Sequence, residues 1–160
     1  TGFKDGVNAS IGGSLLAVMN TASEYGFGAI IAALPGFAII SPALGNTFTN
    51  PLVNGAVTTK GLAGVTGSAS GGVSIALSAM ADQYNAAILA MGIPPEVMHR
   101  IVAMASGGMD TLPHNGAVIT LLAVTGLTHK QSYKDIFAIT IIKTIAVFVA
   151  IAAFTWFGIV

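Results

Sequence analysis

The sequence predicts an all-α, polytopic membrane protein built around one long span, a helical hairpin and a helix broken in its middle. Three observations lead there. First, 54% of the residues are hydrophobic and only 8% are charged, whereas a soluble domain carries about 25% charged residues. Six basic and six acidic side chains do not cover the surface of a soluble fold of this size. Second, residues 136–160 are apolar with a single charge, Lys143, which is the pattern of a transmembrane helix. Third, two stretches rich in Gly, Ser, Thr and Asn interrupt apolar sequence, one around Ser68 and one around His114.

The composition also excludes several functions. A formal net charge of zero leaves no basic footprint for nucleic acid. With no cysteine there is no disulfide framework and no thiolate metal site, and no metal-ligand spacing, phosphate loop or nucleophile elbow occurs. The run Gly-Ser-Ala-Ser-Gly at 67–71 misses the elbow pattern because Ala69 stands where its serine belongs. Twenty glycines, with many Ala, Ser and Thr, suit close helix packing in lipid. A chain that starts at Thr1 and stops inside an apolar run is expected to be a piece of a longer protein, with residues 1–160 forming one incomplete transmembrane domain.

In chain order, residues 1–10 are polar and 11–19 form an apolar run too short to cross at about 20 residues per span. Residues 20–26 make a polar cluster, read as a membrane-surface turn, where Thr21 or Ser23 would cap the next helix. Residues 27–44 are about long enough to cross, with a kink expected at Pro35-Gly36. The stretch 46–72 is then read as a re-entrant hairpin. Its apolar arms are 52–65 and 73–81, and its turn is the Gly/Ser/Thr-rich run 61–72. The competing reading is one small-residue helix over 61–80 packing through Gly64, Ser68 and Gly72; the pair Gly71-Gly72 favours the turn.

Residues 82–85 are polar, and 86–92 would lie along the interface. Pro94, Pro95 and Glu96 signal a helix start, with proline at the entry and an acid in the first turn. A half-helix is expected over 95–106 and a second over 117–127. Between them, Gly107, Gly108, Pro113 and Gly116 weaken or interrupt any helix. Residues 129–135 form the most polar loop, and the strong span 136–160 follows with Trp156 and Phe157 near its far end. Lys130 and Lys134 favour a cytoplasmic position for that loop, while His99 and Arg100 pull the other way.

The two interruptions hold the candidate chemistry. In secondary transporters, broken helices and hairpin tips meet near the bilayer midplane, where half-helix N-termini offer free N–H groups to an anion. By that logic Thr66, Ser68, Ser70, Asp110, Thr111, His114 and Asn115 are candidate substrate contacts, and Asp110 and His114 are the groups able to titrate with a coupling proton. Each also has an ordinary explanation, such as a turn cap, a satisfied buried donor or small-residue packing. Lys143 lies about seven residues into its helix, roughly 10 Å at about 1.5 Å per residue. From there it is expected to snorkel to the interface rather than pair with a carboxylate.

The run 105–135, which begins Ala-Ser-Gly-Gly-Met-Asp-Thr-Leu-Pro-His-Asn-Gly, resembles the gluconate permease family of bacterial inner-membrane symporters. In particular it is similar to the branch for short hydroxy acids of the 3-hydroxybutyrate type. Gly-Val-Thr-Gly-Ser-Ala-Ser-Gly-Gly at 64–72 and Asn-Thr-Ala-Ser-Glu-Tyr-Gly-Phe-Gly at 20–28 share the likeness. The resemblance implies the C-terminal repeat of an inverted-repeat transporter, multi-pass in the inner membrane of a bacterium, whose missing N-terminal half completes it. It further implies proton-coupled uptake of a small organic anion, with Na⁺ as the alternative coupling ion and no other cofactor or metal. A homo-oligomer is left open. An intramembrane enzyme using Asp110 and His114, and a non-transporting helix bundle, are the competing functions.

Overall fold

The computed structural model describes residues 2–36, 39, 40, 43 and 47–159, and these contain helices and no strand. Helix α1 spans Phe3–Ala33, α2 Pro51–Thr66, α3 Ala69–Ala90, α4 Pro95–Ser106, α5 Gly116–Thr125 and α6 His129–Phe157.

The N-terminal expectation is overturned. The polar start, the short apolar run and the cluster 20–26 belong to one 31-residue helix, α1. Asn, Ser and Thr cost a helix only a few tenths of a kcal/mol each, up to about 0.7, so a polar patch alone does not end one. Thr21 illustrates this: its hydroxyl donates back to the Ala17 carbonyl at 2.9 Å instead of capping a new helix. Helix α1 stops at Ala33, two residues before Pro35. The remainder of the expected 27–44 span falls partly on residues outside those described.

The hairpin forms, but with a far tighter turn than the 61–72 run suggested. Helix α2 runs to Thr66 and α3 starts at Ala69, so only Gly67 and Ser68 separate them. Asn50 caps α2 by accepting from the Leu52 and Val53 amides, and Pro51 opens it at a position where a missing N–H costs nothing. Gly67 closes α2 in the left-handed conformation at φ 66°, which glycine adopts without steric penalty. Ser68 then caps α3, its Oγ accepting from the Gly71 amide at 3.1 Å. The single helix over 61–80 is excluded by this joint. Of its supposed packing face, Ser68 is the cap, and Gly72 lies so close to Ala63 that a Cβ would overlap the Ala63 backbone. Gly64 faces Met109 and Leu112 of the break.

Helix α3 carries straight through residues 82–85 to Ala90, so the expected polar break and interfacial piece over 86–92 are absent. Here Tyr84 is buried among Met80, Ile88, Val97 and Met98, and this packing overrides the local polarity. Helix α4 occupies Pro95–Ser106 as anticipated, and α5 occupies Gly116–Thr125, ending at left-handed Gly126. The expected loop 129–135 is the first two turns of α6. Thr128 precedes that helix, and the Gln131 side chain accepts from its amide at 3.0 Å and its hydroxyl at 2.8 Å. This side-chain cap on Thr128 gives a polar sequence a helical start.

The main core joins α2, α3, α4 and α6 through Leu52, Ala56, Met80, Ile88, Val97, Ile101, Val102, Ala105, Val147 and Ile151. Helix α6 contributes one buried stripe, Ile136, Thr140, Val147 and Ile151, and leaves Ile139, Ile142, Ile145 and Val149 exposed. Among the described residues it is the helix long and apolar enough to cross a membrane, and only 22% of its most apolar window is buried inside the chain.

Candidate functional site at the joint of hairpin and broken helix

The two interruptions meet. Asn115, 1% exposed, donates from Nδ2 to the Gly67 carbonyl at 2.6 Å and accepts through Oδ1 from the Ala117 amide at 2.7 Å. One side chain thereby caps α5 and fastens its first turn to the hairpin joint. His114 lies beside it with Nε2 at 3.1 Å from the Gly64 carbonyl, and a Cβ on Gly67 would stand 2.8 Å from its ring. Gly67 is therefore required twice, by its backbone conformation and by the imidazole against it. On the far side, His129 Nε2 lies 2.9 Å from the Pro113 carbonyl.

The break itself is tied to α6. Asp110 accepts from Lys143 Nζ at 2.6 Å, an ion pair with both side chains about a quarter to a third exposed. The expected snorkelling of Lys143 is thus corrected. Lys143 follows Ile136 by seven residues and precedes Val147 by four, so helical periodicity places it beside the buried stripe of α6, facing the break. Thr111 shares a hydrogen bond with the hydroxyl of Thr140 on the same stripe.

The sequence-predicted residues separate into distinct positions. Thr66 is buried, and its hydroxyl donates to the Leu62 carbonyl at 2.8 Å, a local bond within α2. Ser68 is buried as the α3 cap and lies 3.2 Å from the Ser70 hydroxyl. Ser70 is exposed and lines a cavity of about 560 Å³ between α3 and α4. Ser106 and Ser70 mark the end of that cavity remote from the α3–α4 link, and Val73, Leu77, Ile88 and Met98 give it apolar walls. Asp110, Thr111, His114 and Asn115 all fall at the joint, each with a partner in the chain.

Two members of this region were not legible in the sequence. Asn20 of α1 reaches the second half-helix, its amide donating to the Gly116 carbonyl and the Thr120 hydroxyl. Its place inside a polar cluster disguised it as part of a turn, and nothing local marks a contact with a residue so distant along the chain. Lys60 of α2 donates to the Thr144 hydroxyl on α6 and approaches Gly108 so closely that a Cβ there would lie 2.5 Å from Nζ. An isolated lysine in a small-residue apolar helix was the available signal.

Fold and site together define an all-α arrangement in which a helical hairpin is pinned to a discontinuous helix, with a charged pair at the break. The chain is 71% identical over 158 residues to the uncharacterized transporter YxjC of Bacillus subtilis (strain 168), a match that covers 99% of this chain. It spans 34% of the length of that curated relative. No family model matches the chain, and no solved structure matches it significantly.

Proposed function

We propose that the chain is part of a secondary active transporter, a proton symporter that takes up a small organic anion by alternating access in the bacterial cytoplasmic membrane. Gluconate or a short hydroxy acid such as 3-hydroxybutyrate is the substrate class, by the resemblance of the 105–135 run. The observation that carries the reading is the pinning of one non-helical joint, Gly67-Ser68, to another, 107–115, through Asn115. Irregular backbone inside an apolar bundle is tolerated where it is buried in protein or lines a watery cavity, and paired interruptions of this kind form the substrate sites of transporters. The name of the 71% identical relative agrees with transport, and the exposed apolar faces of α6 suit lipid. Asp110 and His114 are the proton-coupling candidates, since ionisable groups at such depth are costly to keep without a use.

Uptake of labelled gluconate and 3-hydroxybutyrate by the full-length protein in vesicles, with and without an imposed proton gradient, tests the proposal. Gradient-dependent uptake is expected, and D110N and H114A are expected to lower it at least tenfold while D82N, on an exposed turn of α3, leaves it within twofold. Absence of gradient-driven uptake of any hydroxy acid would refute the function, and equal effects of the three substitutions would refute the site.

A further inference from the structure

The charges at the break do not balance. Asp110 is committed to Lys143, and among the described residues this is the one ion pair at the site. A second ammonium, that of Lys60, arrives at the same place from the hairpin. Its hydrogen-bond partner is the neutral hydroxyl of Thr144, which in turn donates to the Thr140 carbonyl at 2.6 Å. Gly107 and Gly108 put no side chain between the two lysines. Lys143 Nζ would lie 3.9 Å from a Cβ on Gly107, and Lys60 Nζ 2.5 Å from one on Gly108. Among the described residues, two ammonium groups and one carboxylate leave one positive charge in a half-buried position beside irregular backbone.

An ammonium removed from much of its water and lacking a counter-ion is unfavourable unless something negative visits it. A lysine serves that purpose as a compact point charge on a flexible stem, suited to a carboxylate that must arrive and leave. From this geometry we infer that Lys60 is the seat of the substrate's carboxylate, at the Gly107-Gly108 face of the break, and that the site selects monoanions. The inference rests on the transport reading above and adds to it the anchoring residue and the charge of the substrate. Lys143, neutralised by Asp110, frames the seat, and among the described residues a second carboxylate on the ligand finds no second unpaired cation there.

The test uses purified full-length protein and three probes, 3-hydroxybutyrate, its uncharged methyl ester and the dicarboxylate malate. Binding is followed by titration calorimetry and uptake in proteoliposomes. Wild type is expected to bind 3-hydroxybutyrate at least tenfold tighter than the ester or malate. K60Q is expected to lose that tenfold preference, and K60R to keep most of it. G108A provides a variant that keeps the lysine in the sequence but displaces its ammonium with a methyl group, and binding is expected to weaken severalfold with the thermal unfolding midpoint held near wild type. Should wild type transport the acid while K60Q and G108A bind it as wild type does, the Lys60 seat is overturned and the transport reading stands. Should binding depend on Lys60 without gradient-driven uptake, the seat stands and the transport reading falls. Malate binding as tightly as 3-hydroxybutyrate would overturn the monoanion selectivity.

Discussion

Replacing Asn115 probes the joint most directly, because its amide makes two separable bonds. Its Oδ1 caps α5 at the Ala117 amide, and its Nδ2 satisfies the carbonyl of buried Gly67. Losing a side-chain cap costs about 1 kcal/mol, and orphaning a buried carbonyl costs about 1–3 kcal/mol. N115A removes both and is expected to destabilise the protein by about 2–4 kcal/mol. N115S keeps a competent cap but cannot reach across to Gly67, so its cost is expected to be the carbonyl's share alone, about 1–3 kcal/mol. Equilibrium unfolding of the full-length protein in mixed micelles, followed by circular dichroism, measures both. The ordering Ala worse than Ser, with each clearly below wild type, is the expected result. If both variants unfold within about 0.5 kcal/mol of wild type, the size expected of an ordinary surface substitution, while substrate binding collapses, then Asn115 is a ligand and not the pin of the two interruptions.

Two further perturbations separate backbone from side-chain effects. G67A places a Cβ on a left-handed residue at a cost of about 1–2 kcal/mol and also pushes it against the His114 ring. G126A, at φ 67° with nothing within 4 Å, pays the backbone cost alone. The difference between their unfolding free energies is expected to report the imidazole contact, and equal values would show that His114 yields freely. For the ion pair, a cycle of D110N, K143Q and the double variant is expected to give a coupling of about 0.5–3 kcal/mol, the range for residues in contact. A coupling near zero would restore the picture of Lys143 reaching away to the membrane surface.

Much of the layout was legible from local chemistry. Half-helix α4 follows from Pro94, Pro95 and Glu96 at its start and the glycine pair at its end, signals that act within one turn. The hairpin follows from the density of Gly, Ser and Thr over 61–72, although neither its position within that run nor its tightness does. A two-residue joint needs one glycine with positive φ and one capping serine, and the other small residues of that run serve packing, as Gly72 does against Ala63. The differences between expectation and structure share a cause. The polar clusters at 20–26, 82–85 and 129–135 lie inside helices, because a helix loses little by carrying Asn, Ser, Gln or Lys when its backbone bonds stay intact. Proline, and glycine where it takes a positive φ as at Gly67 and Gly126, end helices because they alter the backbone itself; Gly12, Gly13, Gly71 and Gly72 lie inside helices, so neither polarity nor glycine content alone ends one.

The candidate site divides along the same line. The sequence by itself determined that residues 107–116 break a helix, that a turn falls somewhere in the Gly/Ser/Thr-rich run 61–72, and that Asp, Thr, His and Asn are carried at the first of these. Those are properties of single residues and their immediate neighbours. Only the tertiary structure decided which of them meet. Asn115 bonds Gly67 across 48 positions of sequence, Asp110 bonds Lys143 across 33, and Lys60 bonds Thr144 across 84. Each contact depends on how three helical segments register against one another, through the close approach of Gly72 to Ala63 and of Gly64 to Met109. Close packing fixes that register only after the whole bundle assembles, so no window of the sequence contains it.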